Sequence, residues 1–137
     1  MKSLLKGLFD WSMSSTKLDD HIADEELLYR GVPMNPNQWS FERNTPSSAA
    51  FKDSLGVPVD RDRNRKEIKR IASLTNRLVL RAVVSVTAKQ CRETNAHLQS
   101  DPVDGNPYHA LVLHSEKRNP LTSGQARFIS RQCRVAG

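Results

Sequence analysis

The alternation of apolar and polar positions divides the chain into short amphipathic segments. Over residues 3–13, Leu4, Leu5, Leu8, Phe9 and Trp11 recur at helical spacing, with Lys2, Lys6 and Asp10 on the other side. So short a helix is marginal alone in water, which predicts a docking element for its own core, a partner or a membrane surface. The polar, acidic stretch from Ser12 to Ala23 reads as a linker. Residues 1–23 are thus expected to precede one globular domain spanning 24–137.

Within that domain, Glu26 to Val32 predicts a first strand stopped by Pro33, followed by a loop rich in Asn and Pro. Thr45-Pro46 is expected to open a short helical turn through Phe51, with Thr45 as cap and Pro46 at the first helical position. After Gly56, Val57-Pro58-Val59 reads as an edge strand, because Pro58 cannot donate to a central ladder. Arg65 to Arg77 predicts a helix, with Ile68, Ile71, Ala72 and Thr75 on one side and Lys66, Lys69, Arg70, Ser73 and Arg77 on the other. Leu78 to Thr87 predicts a central strand whose even-numbered positions form an unbroken apolar face. Residues 88–98 read as a polar helix, Tyr108 to His114 as a strand with Leu111 and Leu113 on one side, and Thr122 to Arg134 as a helix turning Ala126, Ile129 and Cys133 inward. The expected fold is α+β or α/β: a small mixed sheet of about four strands covered by two to four helices.

Charge sharpens this picture. The net charge of +6 is unevenly distributed. Residues 1–60 hold 6 Lys/Arg against 9 Asp/Glu, whereas residues 61–93 hold 10 against 3. The stripe Arg63, Arg65, Lys66, Lys69, Arg70 and Arg77 is therefore a candidate surface for nucleic acid or another anion, or for an acidic protein. A solvated helix face is the plainer explanation of the same residues. Few aromatics are available for base stacking, and Trp11, Trp39, Phe41 and Tyr108 all lie outside the stripe.

Candidate chemistry is sparse. No stretch approaches the ~20 apolar residues of a membrane-spanning helix. Lys6 and Asp10 interrupt the N-terminal apolar run, against a secretory signal. Cys91 and Cys133 then read as free thiols in a reducing cytoplasm. Asp60-x-Asp62-x-Asn64 opens like a calcium loop, but Arg65 and Ile71 stand where glycine and a bidentate glutamate are needed. Cys91, His97, His109 and His114 lack metal-ligand spacing, so no metal and no cofactor are expected. Phosphate loops, nucleophile elbows and close carboxylate pairs are missing from the sequence.

The most distinctive text is Thr45 to Asp53 followed by Val57 to Asp62. Ser47 and Ser48 at a helix start invite either an anion site or a simple helix start with Phe51 in the core. Leu27-Leu28-Tyr29-Arg30 with Val32-Pro33, Ser47 to Asp53, Val59-Asp60 and Asn106-Pro107-Tyr108-His109-Ala110 together resemble a set of small uncharacterised bacterial proteins. In that pattern an arginine-proline strand, a Ser-Ser-x-Ala-Phe segment, a Ser-Val-Asp strand and an Asn-Pro-x-His-Ala strand recur; here Pro58 replaces the serine, and one arginine follows Tyr29 instead of two. The resemblance implies a bacterial origin and a shared fold, with no activity to carry over. Arg30 and the Ser47/Ser48 pair also loosely resemble the arginine and Ser-Thr-Ser strands of ADP-ribosyltransferases, but the spacing is short and the Tyr108–His114 strand has no glutamate.

The expectation is a non-enzymatic bacterial accessory protein that binds a protein partner, nucleic acid or both. The basic stripe would supply contact, and Leu4, Leu5, Leu8, Phe9 and Trp11 would dock. The alternative is a small enzyme for a nucleotide or phosphate-containing substrate, with Arg30, Ser47, Ser48 and His109 converging on one pocket.

Overall fold

A computed structural model describes residues 20–62, 80–117 and 119–136. The expected helices over 3–13 and Arg65–Arg77, most of the linker, and Leu78-Val79 lie outside these residues. Eight strands are described: β1 (Leu27–Pro33), β2 (Trp39–Ser40), β3 (Thr45–Pro46), β4 (Val57–Arg61), β5 (Leu80–Thr87), β6 (His97–Ser100), β7 (His109–Leu113) and β8 (Arg134–Val135). Two α-helices, α1 (Ala88–Glu93) and α2 (Ser123–Gln132), and two 3-10 turns, Pro36–Gln38 and Ser48–Phe51, complete the described elements.

Six strands form one sheet in the order β6-β7-β4-β1-β5-β8, and β2 pairs with β3 apart from it. Every pairing is antiparallel. The fold is therefore α+β, with a sheet larger than the expected four strands and antiparallel where a mixed one was expected.

Cross-strand partners share a face, so register assigns the side chains. Leu28, Val84, Val86, Val57, Val59, Ala110 and Val112 project to one side, where they meet Phe51, Ala88, Cys91, Leu121, Ala126, Ile129 and Cys133. The inward turn of Ala126, Ile129 and Cys133 follows the predicted helical period. On the opposite face Tyr29, Val83, Leu111 and Leu113 are also buried, so the middle of the sheet is covered on both sides.

Three local expectations change. Pro58 lies in an interior strand, not at an edge. Pairing of β4 with β1 reaches only Asp60 and Arg61, so Pro58 faces β1 where their ladder has ended. A residue's N–H and carbonyl point to the same side of a strand. The Pro58 carbonyl accepts from Arg30 Nη1 at 3.4 Å, which places the missing donor in that same gap. Thr45-Pro46 is strand β3 instead of a helix start, and the 3-10 turn begins after Ser47. The polar helix from Ala88 ends at Glu93, because Asn95 takes a left-handed conformation (φ 63°) and the chain returns as β6. That reversal also removes the single-helix geometry expected for Cys91 and His97.

Both α-helices open on reciprocal caps. Thr87 Oγ1 accepts from Gln90 N while Gln90 Oε1 accepts from Thr87 N, and Thr122 and Gln125 repeat the arrangement. α2 is shorter than expected at its far end, where Arg134-Val135 leaves to pair with β5.

Candidate functional site

Arg30 projects from the core face of β1 toward the Ser47–Asp53 segment. Its Nη2 donates to the Ala50 carbonyl at 3.2 Å and to the Asp53 carboxylate at 3.1 and 3.4 Å. With Pro58 on Nη1, the guanidinium ties the second 3-10 turn to two strands. Arg30 Nε is buried without a partner. Ser47 is committed as well: its N–H donates to the Gln38 carbonyl at 3.0 Å and its Oγ donates to the Asn37 carbonyl at 2.6 Å. Ser48 is half-buried in the turn, and Phe51 sits in the core. The helix-start reading of the serine pair thus fits the geometry, with Ser47 fastening one 3-10 turn to the other without capping its own.

His109 lies elsewhere. Tyr29, Asp60 and His109 stand in one cross-strand row over β1, β4 and β7. Arg30, the next residue after Tyr29, projects to the other face. Arg30 and His109 therefore do not share a pocket, and the expected four-residue convergence is absent. Within its own row His109 is oriented through Nδ1, which lies 3.1 Å from the Asp101 carbonyl and 3.2 Å from its Oδ2. Asn106 Nδ2 donates to Asp60 Oδ1 at 2.7 Å, and Asn106 Oδ1 accepts from the Tyr108 N–H at 3.0 Å. The distinctive sequence segments thus meet in two separate constellations, one on each sheet face.

Arg61, which the sequence offered only as added charge beside the serine pair, is fully buried. It makes a two-pronged ion pair with Glu26 at 2.8 and 3.1 Å, and also donates to the His21 carbonyl and Ser100 Oγ. A buried arginine in an alternating strand leaves no composition signal, because its carboxylate partner is 35 residues away in sequence.

The described surface carries a groove of about 300 Å³ lined by Met34, Asn35, Pro36, Trp39, Phe41 and Arg81. Met34 and Phe41 are 62% and 69% exposed, while Trp39 is 4% exposed. The Arg81 guanidinium lies 4.9 Å from the Trp39 ring centroid and 5.4 Å from that of Phe41. Such stacking holds the planar cation in place while leaving its N–H edge available. The groove joins the β1–β2 connection to β5, so no local motif announces it.

Among the described residues, no group of three or more His, Cys, Asp or Glu side chains is placed to hold a metal. His114 Nδ1 meets Gln125 Oε1 at 3.0 Å, and Cys91 and Cys133 are buried free thiols. Burial pushes the Cys91 thiol up to about 12 despite the opposing pull of Arg92, and burial likewise raises Cys133, with Cys91 adding to it. Neither is poised as a nucleophile. No described helix is long and apolar enough to cross a membrane. The candidate docking residues Leu4, Leu5, Leu8, Phe9 and Trp11 and the stripe Arg63, Arg65, Lys66, Lys69, Arg70 and Arg77 lie outside the described residues. No family model, curated protein or solved structure matches this chain.

Proposed function

We propose that this chain is a non-enzymatic bacterial accessory protein that binds a protein partner, and that the Met34–Arg81 groove is part of its binding surface. The observation that carries the reading is the groove itself. Exposed Met34 and Phe41 surround a stacked arginine over a buried tryptophan. Aromatic residues, methionine and arginine are the types enriched where proteins bind one another. The basic block in residues 61–93 supports a second contact, with nucleic acid, through the stripe around Lys69 and Arg70.

The enzyme alternative has less to draw on, since Arg30 and Ser47 are engaged in packing bonds and His109 is on the other face. Affinity purification from the native host, run in parallel with wild type and Phe41→Ser, tests the binding reading. Phe41 is exposed, so the substitution should leave the circular dichroism spectrum and melting temperature unchanged. A partner retained by wild type and lost by Phe41→Ser is expected. Identical retained proteins in both samples would remove the groove from the binding surface.

A further inference from the structure

We infer that the groove receives an acidic, apolar peptide segment, with Arg81 as the carboxylate receptor. This rests on the protein-binding reading above and adds the chemistry of the partner. Arg30, Arg61 and Arg92 each hold a carboxylate, from Asp53, Glu26 and Asp24 respectively. Arg81 instead holds two aromatic rings, and no ion pair or hydrogen bond engages it among the described residues. Its guanidinium lies over the Trp39 and Phe41 rings, and these contacts restrain the exposed side chain. A carboxylate arriving edge-on can then take two parallel N–H donors without having to order a mobile side chain.

The remaining wall decides what must accompany that carboxylate. Met34, Pro36, Trp39 and Phe41 present mainly apolar surface, so an aliphatic or aromatic side chain beside the acid would displace water favourably. Methionine at the rim adds a surface that adapts to different side-chain shapes. A single-stranded nucleic acid fits less well. Successive bases need open ring faces, whereas Trp39 is buried and Arg81 already occupies a face of Phe41.

The test is a titration of the full chain, followed by the Trp39 indole and Arg81 side-chain signals in nitrogen-15 spectra. The probes are a capped peptide of sequence GDLFDG, its amide counterpart GNLFNG, and a short oligothymidylate. The acidic peptide should bind roughly tenfold or more tightly than the amide peptide, moving both signals. Arg81→Gln should abolish that difference, and Phe41→Ser should weaken both peptides. Equal binding of the two peptides to wild type, with Phe41→Ser still weakening them, would overturn the carboxylate receptor while leaving a protein-binding groove. No saturable shift with either peptide, or oligothymidylate moving the signals in their place, would overturn the inference. Failure of the broader reading is separate: it is the unchanged partner set in the Phe41→Ser purification.

Discussion

Arg61 and Glu26 form a buried pair whose two members are unequal in what their loss exposes. The guanidinium donates to both Glu26 carboxylate oxygens, to Ser100 Oγ and to the His21 carbonyl, while Glu26, 7% exposed in its side chain, depends on Arg61 for charge balance. Removing the cation alone strands a carboxylate in low dielectric. Arg61→Met should therefore destabilise the protein by about 3–5 kcal/mol, and adding Glu26→Leu should recover much of that loss. Urea denaturation of the two variants checks it; equal losses would mean the pair itself is strongly favourable. The buried thiols give a pH signature. The unfolded-chain thiol ionises near 9.0, whereas folded Cys91 holds its proton to about 12. The folded state then binds more protons than the unfolded one in this window, so stability is intact below pH 9.0 and falls as pH rises toward 12. Each thiol contributes a slope of about 1.4 kcal/mol per pH unit. Urea melts on either side of pH 9.0 should show a shallower decline when Cys91→Ala and Cys133→Ala are combined.

At the scale of elements, α2 is held by more than its apolar stripe. Gln125 is buried and serves three neighbours: Oε1 accepts from the Thr122 N–H and meets His114 Nδ1, while Nε2 donates to the Thr94 carbonyl. One side chain thus caps its own helix and joins it to the ends of α1 and β7. Thr122→Ala should cost about 1 kcal/mol, the usual value of a lost cap. Gln125→Ala should cost more, about 2 kcal/mol, because buried partners are left unsatisfied. Thermal melts order the two variants, and an equal cost would reduce Gln125 to a cap. These elements also show which signals were readable. Ala126 and Ile129 were legible because three-four spacing belongs to one continuous helix, and Cys133 because it stands at the cap that ends it. His97 and Leu98 were misread as the end of a helix, because β6 is half-buried throughout and lacks the alternation that marks a one-sided strand. Asn95 was the overlooked stop. Thr45-Pro46 carried a valid helix-start signature, overridden because its pairing with Trp39-Ser40 is a contact that no propensity encodes.

For the whole molecule, what could not be read was long-range assembly. The strand order puts β4 between β7 and β1 and β5 between β1 and β8, joining segments from across the chain. The groove has the same origin: Trp39 and Phe41 were visible only as scattered aromatics, and Arg81 only as an odd-numbered position of the predicted central strand, until the fold brought them together. Charge distribution, by contrast, is readable directly, because it requires no contact map. The block over residues 61–93 carries 10 basic against 3 acidic residues, while the stretch before it is net acidic. A phosphate backbone would be drawn to the block by counterion release, a term that depends on salt and hardly on sequence. Lys69→Glu with Arg70→Glu reverses two charges and lowers the net charge of the chain by 4, from +6 to +2. Gel-shift titrations with a random-sequence duplex should show wild-type affinity falling steeply as salt rises, and the double variant failing to bind. Because the groove lies on other residues, that variant should keep the partner captured through Phe41. Loss of both activities together would mean that the two surfaces serve one ligand; salt-independent or absent binding by wild type would leave the basic block a solvated face.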